Sequence, residues 1–242
     1  MAHPLDHAFA RLDRTEEHLT DLRRRCDAFI DEQRKSARLD LKTQPSGEPR
    51  KLVDFPSTEP PLVLRVIVGE IAYNMRSALD YLIYALAEHD SGKPQDGTQF
   101  PIVDRPEDFE GRKRAWLKGV SDPHLAVVEQ LQPYHGRYWM RLIRDLSNPD
   151  KHRQLTLLHS EFISANLGRM VIGGEGLVSG QPATIEGAHW YPWPFTSKHE
   201  MYVETHITAR VSLSDGTPVV EILQLVKSQV AYVIEMFNPE FK

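Results

Sequence analysis

Hydrophobic residues recur every three or four positions through three long stretches of the chain, and each stretch predicts an amphipathic helix. Leu5, Phe9, Leu12, Leu19, Leu22, Cys26, Phe29 and Ile30 mark the first, over 5–35, with Pro4 near its start. Leu64, Ile67, Val68, Ile71, Met75, Ala78, Leu79, Leu82 and Leu86 form a broader stripe over 62–89, which predicts the central core helix. Gly92-Lys93-Pro94 supplies its stop. Val220, Leu223, Val226, Val230, Val233, Ile234 and Phe237 predict a last helix over 218–237 that packs back on the others. Shorter helices are expected over 106–117, 123–132 and 137–146, the first two with a proline at or near the first turn.

Elsewhere the period shortens. Alternating runs at 37–41 and 51–55 flank Pro45-Ser46-Gly47 and predict a hairpin. Met170-Val171-Ile172 and the run from Tyr202 to Val211, with glycines at 168, 173, 174, 176, 180 and 187, predict an antiparallel sheet with long loops over 155–212. The expected fold class is therefore α+β: mainly an α-helical bundle, with an antiparallel β-sheet contributed by the C-terminal third and a short N-terminal hairpin. With no internal repeat or long linker, a single domain over 1–242 is expected: a helical bundle of 1–153 plus 218–242 and a β-rich insertion over 155–217.

Composition narrows the class further. The 242 residues are 40% hydrophobic and 26% charged with a net charge of -5, values that suit a globular chain able to fold without disulfides or a structural metal. One cysteine, Cys26, and no apolar leader point to the cytoplasm, with no membrane segment. There is no Walker loop, dinucleotide fingerprint, HExxH, CxxC pair or GxSxG. His3 and His7 are four apart beside Asp6, but in a first turn, so no metal and no cofactor are expected. Charge is uneven. Residues 105–153 hold ten Lys and Arg against seven Asp and Glu, and 137–153 alone holds Arg137, Arg141, Arg144, Lys151 and Arg153 against Asp145 and Asp150. A local basic stripe on an acidic chain suits a phosphate or acidic partner rather than bulk DNA, although a solvated helix face has the same composition.

Two constellations can carry chemistry. In Asn74-Met75-Arg76-Ser77-Ala78-Leu79-Asp80, Arg76 and Asp80 are four apart and share a helix face with Gly69, Ala72, Ile83 and Ala87. Small neighbours predict that the pair is covered, either as an ion pair locking helices or as an anion-binding arginine. Arg144-Asp145-Leu146-Ser147-Asn148-Pro149-Asp150-Lys151-His152-Arg153 reads as a helix end followed by a new helix start, where backbone N–H groups and cations can hold a phosphate. Arg76 and Asp80 are expected at the junction with 144–153, with Asp145, Asp150 and Lys151 as complementary partners. The aromatic run His189-Trp190-Tyr191-Pro192-Trp193-Pro194-Phe195 predicts either a contact surface or a core plug.

Asn74–Asp80 paired with Asn148-Pro149-Asp150-Lys151-His152-Arg153 resembles a widespread family of uncharacterised bacterial proteins. Phe100-Pro101-Ile102 and Leu131-Gln132-Pro133-Tyr134 lie between the two motifs. More distantly, the helical part is similar to HEPN-type domains of toxins, antiphage systems and nucleotide-binding proteins. Their ribonuclease motif is an Arg, often followed by Asn, with a His four to six residues on. Here Ser147 stands at the Arg position, before Asn148 and His152, and Pro149 falls inside a stretch those domains keep helical.

The resemblance implies His152 as acid or base with Arg144 or Arg76 stabilising charge on a phosphate, in a metal-independent ribonuclease built across a homodimer. The competing expectation is a phosphate-, nucleotide- or RNA-binding protein of a defence or regulatory system. It would use Asn148, Asp150, Lys151, Arg153, Asp80 and Asn74 for the ligand, without complete acid–base machinery. A non-catalytic protein-interaction module is the third.

Overall fold

The computed structural model describes residues 3–39, 53–54, 58–147, 158–172, 183–186 and 201–241. The architecture is α+β. Helices α1 (Asp6–Ser36), α2 (Leu62–Ser91), α3 (Pro106–Trp116), α4 (Asp122–Gln130), α5 (Trp139–Ser147) and α6 (Val219–Phe237) accompany a short antiparallel pair, β1 (Arg38–Leu39) with β2 (Val53–Asp54). They also accompany a three-stranded sheet of β3 (Leu158–Ile172), β4 (Ala183–Glu186) and β5 (Met201–Leu213). No helix among the described residues is long and apolar enough to cross a membrane.

Contacts divide the chain into two compact units. One comprises Met1–Arg23, Pro61–Leu157 and Val219–Lys242, the other Arg24–Pro60 and Leu158–Pro218. In the second, β3 is the central strand, antiparallel to both neighbours, with register running from Leu158 opposite Leu213 to Ile172 opposite Met201. Two register shifts, at Phe162/Ser164 and Leu167/Met170, interrupt the β3–β5 ladder. Such irregularities bend a long strand.

The first unit is built around α2. Its apolar stripe is wide enough that fourteen of its residues are buried, so it serves as the shared wall for α5 and α6. On α1 the buried positions Leu5, Ala8, Leu12, Thr15, Leu19 and Leu22 alternate in steps of three and four, the spacing of one helix face. Thr15 is the polar member of that seam, and its hydroxyl is satisfied by the Arg11 carbonyl at 2.9 Å. Lys227 Nζ on α6 reaches Glu16 on α1 at 2.7 Å. The end of α2 is set by Gly92, whose left-handed φ of 70° closes the helix through its N–H to the Glu88 carbonyl. Gly119, at φ 81°, is needed for a second reason: a Cβ there would sit 3.1 Å from the Ala87 carbonyl oxygen.

Candidate functional site

Asp80 holds the segment after α2 in place. Its Oδ1 accepts the Phe100 N–H at 2.8 Å, and its Oδ2 lies 3.4 Å from Arg76 Nε. Gln132, fully buried, anchors the next stretch of that segment, since its Oε1 accepts the Val103 N–H at 3.1 Å while its Nε2 donates to the Val128 carbonyl at 3.0 Å. Asp104 comes next in the chain and takes Arg141 Nε at 2.6 Å and Arg144 Nη1 at 2.7 Å. Arg144 Nε also donates to Asp145 at 2.8 Å. Segment 99–104 is thus stitched to α2, to the end of α4 and to α5 by three different side chains.

That stitching leaves an open cleft of about 910 Å³ within the helical unit. Arg76 enters from α2, Arg144 and Ser147 from α5, Gln99, Ile102, Val103 and Asp104 from the connecting segment, and Glu107, Asp108, Gly111, Arg112, Ala115 and Trp116 from one face of α3. Pro106 starts α3, with Glu107 and Asp108 in its first turn and Lys113 and Arg114 in its last, an arrangement that complements the helix dipole.

The cations in the cleft differ in what occupies them. Two of Arg144's donor positions are taken by carboxylates, which fixes its guanidinium. Arg76 donates only through Nε, and its two Nη groups meet no described acceptor. Arg112 lies over the Trp116 ring, 4.3 Å from its centroid. Among the acids, the hydrogen bonds from Arg141 and Arg144 hold the Asp104 carboxyl below its ordinary value, and Arg105 does the same for Asp108 through two contacts of 2.9 Å. Burial pushes Asp80 the other way, upward, with only the long Arg76 contact and the Phe100 N–H opposing it.

The sequence-predicted residues separate accordingly. Arg76, Arg144 and Ser147 share one cleft. Asp80 stands behind Arg76 and lines a different cavity, of about 310 Å³, with Tyr73, Tyr81 and Tyr84. Asn74 is buried against α1, where its Oδ1 accepts Arg11 Nη1 at 3.2 Å and its Nδ2 donates to the Glu70 carbonyl at 2.8 Å. Asp145 pairs with Arg144 and not with Arg76. Asn148, Asp150, Lys151, His152 and Arg153, like the aromatic run 189–195, lie outside the described residues. Spacing overlooked Asp104, Arg112 and Trp116. The last two stand four apart on the predicted helix 106–117, a signal that was present.

A second polar cluster has no counterpart among the sequence-predicted residues. Asp90 Oδ2, near the end of α2, accepts the Ser121 N–H at 2.7 Å and sits 2.8 Å from His124 Nδ1, to which the Ser121 hydroxyl also comes within 3.2 Å. His124 Nε2 is 3.7 Å from Glu240, and its ring meets Phe237 edge-on at 5.7 Å. Serine and aspartate both face Nδ1, so the group lacks the relay of a serine nucleophile, which needs the hydroxyl on Nε2. No group of three His, Cys, Asp or Glu among the described residues is placed to hold a metal ion.

Comparison with protein-family models, with curated proteins and with solved structures returns no match.

Proposed function

We propose that the cleft between α2, α3 and α5 binds a phosphate-bearing ligand and that the protein is a recognition module of a regulatory or defence system. The observation that carries this is the pair of arginines lining one open cleft at the end of α5: Arg76, whose two Nη groups meet no acceptor among the described residues, and Arg144, held by Asp104 and Asp145. A clamped guanidinium loses little rotamer freedom on binding, and a guanidinium matches two phosphate oxygens at once. Asn148, Asp150, Lys151 and Arg153 follow α5 directly in the chain. Titration with inorganic pyrophosphate by calorimetry at two salt concentrations tests it. Binding that weakens with salt supports the site, and absence of binding at low salt removes it.

Arg144 favours a second reading, because it stands one turn before Ser147 and lines the same cleft. In a HEPN-like ribonuclease it would replace the motif arginine, with His152 as acid or base, in a cytoplasmic homodimer. Metal-independent RNA cleavage that His152→Ala abolishes would establish that reading over pure binding.

A further inference from the structure

The same cleft holds more than a phosphate needs. Its volume of about 910 Å³ is at the upper end of small-ligand pockets, and a bare anion would leave most of it to water. At the α3 side, Trp116 is half-buried rather than enclosed, although tryptophan ordinarily hides most of its area. Its backbone carbonyl accepts the Gln99 N–H at 3.0 Å, and the Arg112 guanidinium lies over the indole, 4.3 Å from its centroid. Gly111 and Ala115 carry almost no side chain beside it, and a Cβ at Gly111 would meet nothing within 4 Å. One carboxylate on this face, Glu107, accepts no hydrogen bond from a described residue, whereas Asp104 and Asp108 are each held by arginines. An acceptor with no donor among the described residues, an indole overlaid by a guanidinium, and arginines therefore share a single opening.

We infer that the ligand's phosphate is joined to a planar ring that stacks on the Trp116–Arg112 pair. The inference rests on the phosphate reading above and narrows it to a nucleoside phosphate, whose hydroxyl or amino donors Glu107 accepts. Flat rings stack on indole and guanidinium without regard to base identity, so the site distinguishes nucleotides from other phosphate esters more strongly than one base from another. The source is either a free nucleotide or the 5′ end of an RNA strand, which present the same groups.

The experiment is a calorimetric titration of the full chain with ribose 5-phosphate, with adenosine and cytidine 5′-monophosphates, and with a short 5′-phosphorylated RNA. Both mononucleotides should bind about tenfold or more tighter than ribose 5-phosphate, the range that base stacking provides. Trp116→Leu should remove that preference while leaving ribose 5-phosphate within about twofold, and Arg112→Met, an exposed position, should reduce it in part. Equal affinity of ribose 5-phosphate and the mononucleotides in the unmodified protein overturns the ring platform and leaves the phosphate site standing. No binding of any of the ligands overturns both. RNA binding tighter than the mononucleotide assigns the site to a strand end, and equal affinity assigns it to free nucleotides.

Discussion

Asp80 and Asp90 lie ten residues apart on α2 and are wired alike. Each accepts a backbone N–H from the segment that folds over the helix, Phe100 at 2.8 Å and Ser121 at 2.7 Å, and each faces one basic side chain. Their titration differs. Burial raises Asp80, with Arg76 3.4 Å away; burial also acts on Asp90, but the Ser121 N–H, His124 and the Ser121 hydroxyl outweigh it and lower that carboxyl. Side-chain exposure, 32% for Asp80 and 8% for Asp90, does not order the two: protein packed around Asp80 makes desolvation the dominant cause there, whereas at Asp90 the converging donors outweigh it. Around Asp90 the pairing is closed: donors and acceptors meet, and His124 is capped by Phe237 and Glu240. Around Asp80 fewer donors converge, and the two Nη groups of Arg76, which lines an open cleft, meet no acceptor among the described residues. A closed polar cluster holds a fold together, whereas one with surplus donors toward solvent is equipped to bind.

Leu82, fully buried between the two clusters, sets the reference for a structural loss. Leu82→Ala should destabilise by about 2–5 kcal/mol in urea denaturation, as large-to-small core changes do. A loss below about 0.5 kcal/mol would mean a surface site. Asp90→Ala comes next, at about 1–3 kcal/mol, because it orphans the Ser121 N–H and the His124 donor. Arg76→Met should cost less than Asp90→Ala, since the contact it breaks is long and partly exposed. It should nevertheless abolish pyrophosphate binding, which Asp90→Ala leaves intact.

The two carboxyls also predict opposite pH responses. Asp90 sits below its ordinary value of 3.8, so the stability it contributes is complete above that value and is lost as pH falls through its folded pKa. Asp80 sits above 3.8, so its ionisation penalises the fold once pH rises through its folded pKa, and that penalty vanishes in acid. Denaturation between about pH 3 and 7 should therefore show the deficit of Asp90→Asn shrinking in acid and that of Asp80→Asn growing. Parallel curves would contradict the contrast. The smallest effect should be Glu240→Gln, at no more than about 0.5 kcal/mol, because its carboxylate is half exposed and 3.7 Å from His124.

The helices were legible because burial repeats locally: the stripes over 5–35, 62–89 and 218–237 correspond to α1, α2 and α6 within two residues at each end. Partial shielding of the Arg76–Asp80 face could also be read from its small neighbours: Ala72, Ile83 and Ala87 are buried, whereas Gly69, Arg76 and Asp80 are half-buried. What covers that face could not. Phe100 meets Asp80 across 20 positions and Val103 meets Gln132 across 29, and such pairings leave no periodic trace. The excess of cations over 105–153 points to the right region, but it could not show that Asp104 and Asp108 hold Arg141, Arg144 and Arg105. Thr15 shows the converse: a polar residue fits a buried seam when the carbonyl one turn earlier accepts its hydroxyl.

The most direct measurement compares Arg76→Met with His124→Ala for pyrophosphate affinity at low salt, with thermal stability recorded for both. Loss of binding in Arg76→Met, with His124→Ala destabilised yet binding as the unmodified protein does, is the predicted result. Equal affinity in the two variants would contradict it, making Arg76 and Asp80 a second closed cluster and the cleft a gap between helices.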